Sequence, residues 1–211
     1  DGEVPAGLTV DARGYVIVAV NINQNYRIVR YDRAGQVAAE WEGEGNVGGI
    51  AIDVEGRSVV AVNINQNHRV AYYGSNGEPL PSDDLDWRPG VAVAIAADPA
   101  GGAVVAVNIN NNWYVDRYSN AGQLLASWQV VAGVIETNGI TVGPNGSVFV
   151  NINQNHRVVA YSHDGEFLFE FGGEGSGPWE FRFPAGIAAG GGLLYVADSG
   201  NHRIQAFGLR T

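Results

Sequence analysis

One short pattern returns five times along the chain and limits what it can fold into. It reads Gly7-Leu-Thr-Val-Asp11, Gly49-Ile-Ala-Ile-Asp53, Ala94-Ile-Ala-Ala-Asp98, Gly139-Ile-Thr-Val-Gly143 and Gly186-Ile-Ala-Ala-Gly190, with first positions 42, 45, 45 and 47 residues apart. A second marker keeps step with it: Asn25-Tyr-Arg, Asn67-His-Arg, Asn112-Trp-Tyr, Asn155-His-Arg and Asn201-His-Arg. A third is an aromatic before a glycine turn, at Tyr31–Gly35, Tyr73–Gly77, Tyr118–Gly122 and Tyr161–Gly165, reduced to Phe207-Gly208 in the last copy. Three markers in register signify one supersecondary unit repeated five times.

Each unit reads as four short strands, here a to d: the Gly-Ile-x-x-Asp element, an apolar stretch such as Tyr15–Val20, the Arg-Ile/Val-x-x-Tyr stretch, and a strand after the glycine turn such as Glu166–Phe171. No window carries a sustained 3.6-residue apolar stripe, so essentially no helix is expected. Four strands in about 45 residues is the size of a propeller blade, and such sheets hide their apolar faces by packing radially on one another. The sequence therefore predicts an all-β, single-domain β-propeller over 1–211, with repeats near 4–47, 48–90, 91–134, 135–181 and 182–211. The fifth repeat lacks strand d. The ring is expected to be five-bladed, or an incomplete six-bladed one with an open edge suited to self-association or a larger assembly.

Charge narrows the partners. There are 22 acidic residues against 12 basic ones, all Arg, for a formal charge of −10. Binding to a nucleic-acid backbone or an anionic membrane surface needs clustered cations, so neither partner is expected. No apolar run reaches the ~20 residues of a membrane span. With no Cys, disulfides and thiolate metal ligands are excluded. The acidic stretch Asp83–Asp86 and the group Glu40, Glu42 and Glu44 read as solvated faces.

The last copies carry a family likeness. Phe171-Gly-Gly-Glu-Gly-Ser-Gly-Pro-Trp-Glu-Phe181, then Pro184-Ala-Gly-Ile-Ala, then Tyr195-Val-Ala-Asp-Ser-Gly-Asn-His-Arg-Ile-Gln-Ala-Phe207 resembles an NHL repeat, with Asn201-His202-Arg203 in the name-giving region. The resemblance implies a six-bladed propeller that works as a non-catalytic recognition or scaffold module, often outside the cell. It also admits two alternatives: a metal-dependent hydrolase or lyase of the lactonase kind, with a cation at the channel mouth, and a structural module of a larger assembly. The chain departs from the family between strands b and c. The family's turn Ala197-Asp-Ser-Gly-Asn201 is replaced by Asn-Ile-Asn-Gln-Asn at 21–25, 63–67 and 151–155 and by Asn-Ile-Asn-Asn-Asn at 108–112, so the b-strand Asp survives only as Asp198.

These turns fall on one face of a propeller. Asn23, Asn65, Asn110 and Asn153, with Asp198, are the candidate ligand-binding residues, and Tyr26 and the expected exposed Trp113 are candidate aromatic anchors. A protein, a glycan or Ca²⁺ could be met through such amides, although Ca²⁺ prefers several carboxylates. Asn also satisfies its own turn backbone and tolerates left-handed geometry, which gives the same residues a structural reading. His68, His156 and His202 share one repeat position with Tyr26 and Trp113, and therefore read as packing rings rather than Zn²⁺ ligands. Arg27, Arg69, Arg157 and Arg203 are expected to pair with the a-strand carboxylates Asp11, Asp53 and Asp98. No nucleophile elbow, phosphate loop or metal-ligand spacing is present, so no resident cofactor and no catalytic residue are expected, and an enzyme is the less favoured reading. The acidic, Lys-free, Met-free composition and the family's habit lead to an expected secreted or extracellular location.

Overall fold

The computed structural model describes residues 2–81, 87–131 and 137–209; the Asp83–Asp86 stretch lies outside them. The strands are β1 Glu3–Val10, β2 Val16–Ile22, β3 Asn25–Tyr31 and β4 Val37–Glu44 in the first blade, and β5 Asn46–Ile52, β6 Ser58–Ile64, β7 Asn67–Tyr73 and β8 Arg88–Pro89 in the second. The third holds β9 Val91–Ala97, β10 Ala103–Ile109, β11 Asn112–Tyr118 and β12 Leu124–Gln129, and the fourth β13 Thr137–Val142, β14 Val148–Ile152, β15 Arg157–Tyr161 and β16 Phe167–Gly172. The fifth has β17 Pro184–Gly190, β18 Leu193–Asp198 and β19 Arg203–Gly208. Each blade is an antiparallel meander, four strands wide in the first four and three in the fifth. The sequence reading of an all-β propeller of five repeats is thus what the chain adopts. One 3₁₀ turn, Ser199–Asn201, is the helical element among the described residues.

The core lies between blades rather than within them. Ile17, Ala19, Tyr26 and Ile28 of blade one pack on Val60, Val62 and Tyr73 of blade two. Val59, Ala61, Val70 and Tyr72 then pack on Val105, Val107 and Tyr118. Val104, Ala106, Trp113 and Val115 repeat the contact with Val148, Val150 and Tyr161. Near the axis the inner strands come close: a Cβ on Gly48 would lie 2.0 Å from the Ala92 carbonyl oxygen, and one on Gly49 3.0 Å from Ile95. A side chain at Gly48 would push the second blade off the third.

An aromatic pair recurs at the rim of the junctions. Trp41 of β4 meets Tyr73 at 5.9 Å, Trp128 of β12 meets Tyr161 at 6.0 Å, and Phe171 of β16 meets Phe207 at 5.0 Å. The Tyr marker read from the sequence is the receiving half of this pair. The glycine turn that follows lies over the donor: a Cβ on Gly77 or Gly165 would come within 2.6 Å of Trp41 or Trp128.

Exposure shows where the stacking ends. Ile28, Val70, Val115 and Val158 occupy one β-register position and are 0–3% exposed, whereas their counterpart Ile204 in the fifth blade is 64% exposed. On the other side, Leu8 of β1 is 68% exposed and its counterparts Ile50 and Ile140 are 7% and 5%. Ile28→Ala should therefore cost about 2–4 kcal/mol in urea unfolding, as large-to-small core changes do, while Ile204→Ala should cost under about 0.5 kcal/mol. Equal losses for the two would contradict inter-blade burial as the source of stability.

Candidate functional site

In the first three blades strands b and c are joined by two-residue hairpins. Asn23 and Gln24, Asn65 and Gln66, and Asn110 and Asn111 all have positive φ, between 51° and 63°. Two successive left-handed residues make the type I′ turn that matches strand twist, and Asn adopts this geometry more readily than most side chains. The structural reading of the Asn turns is therefore correct for the backbone. The carboxamides of Asn23, Asn65 and Asn110 still stand exposed at the tips.

The first Asn of the motif in the first two blades does something the sequence did not disclose. Asn21 Nδ2 donates to the Val47 carbonyl at 3.1 Å, and its Oδ1 accepts from the Val47 N–H at 2.7 Å. Asn63 repeats this with the carbonyl and N–H of Ala92, both at 2.8 Å. One carboxamide thus satisfies both backbone groups of a residue on the next blade. At the fourth junction that residue is Pro184, which has no N–H. Asn151 and Asn153 both donate to its carbonyl, at 3.0 and 3.2 Å, and the buried Asn151 Oδ1 is left without a partner.

The same eight residues, Asn-Ile-Asn-Gln-Asn-His-Arg-Val, occur at 63–70 and 151–158 and fold differently. In the second blade Ile64 pairs with Asn67 across a two-residue turn; in the fourth, Ile152 pairs with Arg157 across a four-residue loop in which His156 takes φ 56°. The cause lies upstream. Strand β14 is two residues shorter than β6, so the loop must begin earlier while strand c keeps its register to the aromatic marker.

Several expectations raised by the sequence are thereby corrected. Tyr26 and Trp113 are not exposed anchors: they are 2% and 8% exposed, because the first inward position of strand c points into the next blade. Tyr26 hydroxyl bonds Tyr73 hydroxyl there. His68, equally buried, bonds Tyr118 hydroxyl through Nε2 at 3.0 Å and lies 3.3 Å from Asp116. His156 accepts the Phe183 N–H at 3.0 Å, and His202 closes the last b–c loop in the left-handed region. His68 is thus a packing position, whereas the partly exposed His156 and the exposed His202 are loop positions. The partly exposed His163, in the glycine turn after β15, reaches Asp98 through Nε2 at 3.1 Å. The more exposed tryptophans are Trp87 and Trp179.

Asn153, tied to Pro184, and Asp198, fully buried, also leave the set of ligand-facing residues. Asp198 accepts from the Arg182 N–H, Asn201, Arg203 and Gln205. Burial works to raise its carboxyl, but these hydrogen bonds outweigh it and hold the pKa below the ordinary 3.8. Arg203 alone of the four repeat arginines meets a b-strand Asp. Arg27 reaches Glu3 and Glu40, Arg157 reaches Glu170, and Arg69 lies over the Trp87 ring. None pairs with Asp11, Asp53 or Asp98, which take Arg30, Arg57 and Arg117 instead. Strands a and c run parallel, so the end of a lies beside the end of c, and Arg27 sits three residues, about 10 Å, too early.

Two grooves of one make separate the turns. The first, 540 Å³, is lined by Gln24, Asn25, Glu44, Asn46, Asn63 and Asn65 among others. The second, 520 Å³, is lined by Asn65, Gln66, Asn67, Asn108, Asn110 and Asn111 with Pro89 and Val91. Asn65 belongs to both. The donor set is carboxamide with a single carboxylate, Glu44, which suits hydrogen bonding to a polar, uncharged ligand better than tight Ca²⁺ binding. Among the described residues no three His, Cys, Asp or Glu side chains are grouped so as to hold a metal ion. Among the same residues no helix is long and apolar enough to cross a membrane.

Comparison with known proteins agrees with this architecture. Residues 181–207 match the family model of the NHL repeat. No curated protein matches the chain in sequence. Among solved structures, a streptogramin B lyase superimposes with a TM-score of 0.68 at 16% identity, over 98% of this chain and 65% of that one, so this chain spans just under two thirds of its length. A catalytically inactive virginiamycin B lyase from Staphylococcus aureus with quinupristin gives 0.65 at 16% identity, over 99% and 85%. A chain of the nidogen/laminin complex gives 0.64 at 17% identity, over 98% and 76%. At such identities the likeness establishes the fold, a β-propeller, and the matched segment marks its fifth blade as an NHL repeat.

Stability measurements should separate the two kinds of Asn. Asn63→Ala should cost about 1–3 kcal/mol by stranding the Ala92 backbone groups, whereas Asn65→Gly, which keeps the left-handed turn, should stay within about 0.5 kcal/mol. The depressed Asp198 carboxyl fixes a pH dependence. Its contribution is complete above the unfolded value and is lost as pH falls through the lower folded one. Urea midpoints followed down from neutral pH should therefore drop in acid, and Asp198→Asn should flatten that acid limb.

Proposed function

We propose that this propeller is a non-catalytic recognition module that binds a protein or glycan across the face carrying the b–c turns. The observation that carries the reading is the pair of equivalent, carboxamide-lined grooves sharing Asn65. Hydroxyls and amides are both donor and acceptor, as is a carboxamide, so sugar hydroxyls or a peptide backbone fit the groove chemistry. The rigid I′ hairpins hold the side chains in place before any ligand arrives, which limits the ordering cost of binding. A secreted or extracellular setting goes with this reading. The fold neighbours include both a nidogen/laminin complex and streptogramin lyases. Lyase or hydrolase chemistry would need acid–base groups converging on an accessible mouth, whereas the repeat histidine His68 is fully buried between blades.

Glycan and protein arrays probed with the purified chain test the proposal. Binding should fall at least tenfold in the Asn65→Gly, Asn110→Gly double variant, which removes the shared groove carboxamide and a second one from the turn tips and keeps the turn geometry. A hit bound undiminished by that variant would move the recognition surface elsewhere.

A further inference from the structure

The two grooves between the b–c turns are one site built twice. Every residue lining the first has its register counterpart lining the second, as Gln24 has Gln66 and Asn63 has Asn108. The residue type changes at two of these positions: Glu44 and Asn46, at the β4–β5 corner, give way to Pro89 and Val91, at the β8–β9 corner. The register makes the exchange exact in place. Glu44 pairs with Asn25 as Pro89 does with Asn67, and Asn46 pairs with Asn63 as Val91 does with Asn108. Glu44 and Asn46 are exposed, and Val91 is 38% exposed. Among the described residues Glu44 enters no ion pair. Arg27, on the adjacent strand, is taken by Glu3 and Glu40, and Arg69 lies over the Trp87 ring. The first groove therefore offers an unneutralised carboxylate, the second an aliphatic patch, and Asn65 belongs to both.

We infer that the turn face takes an extended peptide segment of a partner protein, with a basic side chain at Glu44, an aliphatic side chain at Pro89 and Val91, and its backbone held between them by the Asn65 carboxamide. The inference rests on the recognition reading above and narrows it from protein or glycan to peptide. The chain itself shows the binding mode. The Asn63 carboxamide closes on the N–H and carbonyl of Ala92, both at 2.8 Å, and Asn21 closes on those of Val47. In an extended chain the N–H and C=O of one residue point the same way, so one carboxamide, donor and acceptor at once, satisfies both. Exposed Asn65 carries the same group at the turn tip. A sugar fits less well, because no aromatic ring lines either groove to stack against its CH face. Charge then selects among peptides. The formal charge of −10 draws basic segments and repels acidic ones, and Glu44 gives that attraction a place.

The probe is a library of capped Ser/Ala decapeptides carrying one Arg and one Leu at every spacing, titrated into the intact chain. Binding should be saturable at a preferred spacing. Replacing the Arg of the best peptide by its neutral isostere citrulline should weaken binding about fivefold, the upper scale of an exposed ion pair. Glu44→Gln should abolish that difference and leave thermal unfolding unchanged, and Val91→Asn should abolish the preference for Leu over Ser. Asn65→Gly should weaken every peptide. Equal binding of the Arg and citrulline peptides, an Arg preference that survives Glu44→Gln, or no binding at millimolar peptide would overturn the inference. A glycan bound at this face, lost in the Asn65→Gly, Asn110→Gly double variant and indifferent to Glu44→Gln, would overturn it while the recognition reading stands. A ligand of either kind indifferent to all these changes would remove both.

Discussion

A four-stranded sheet of some 40 residues has two faces and little means of covering either. In this protein each face is covered by the next sheet. The burial figures make the dependence plain: the same β-register position passes from nearly complete burial at Ile28, Val70, Val115 and Val158 to open exposure at Ile204, where no further blade among the described residues packs on the fifth. Fully burying such a side chain stabilises by about 1.5–3 kcal/mol, and the contact is made at four successive junctions. Inter-blade burial thus outweighs any local propensity in holding the fold.

Polar groups sit at the edges of this apolar contact and fix its registration. The Asn21 and Asn63 carboxamides each close on both backbone groups of a residue across the junction, and the Tyr26–Tyr73 and His68–Tyr118 hydroxyl contacts tie the same blades further out. Asp116 is wholly buried. Burial works to raise its carboxyl, but hydrogen bonds from His68 and Ser127 and the Arg88 charge keep its pKa below the ordinary value. Buried polar groups of this kind are costly when unpaired, so each blade can dock on its neighbour in one arrangement only. That rigidity is what allows exposed turn residues on separate blades to act as one surface.

The face proposed for recognition was legible in the sequence; its composition was legible only in part. Repetition of Asn-x-Asn-Gln-Asn put amides on one face, and the left-handed tolerance of Asn explained the turns. Tyr26 and Trp113 were misplaced because a sequence does not say which way the second residue of strand c points when the hairpin before it may hold two or four residues. Nothing in the letters separates Asn63, which staples two blades, from Asn65, which faces solvent. Asp11 and Asp98 likewise found Arg30 and Arg117 because strand direction, not the repeat marker, decides which guanidinium is near, while Asp53 took Arg57 from the turn that follows it.

The sequence by itself determined the repeat, the all-β class and the stacking of blades, because these follow from spacing and from apolar surface that a single sheet cannot hide. Tertiary structure alone decided the fate of Asn-Ile-Asn-Gln-Asn-His-Arg-Val. At 63–70 the segment forms a tight hairpin and buries its histidine; at 151–158 it forms a wider loop that leaves the histidine at its margin. The eight residues are the same. The strand leading into them differs by two residues, and the chain keeps the register that packs the next blade.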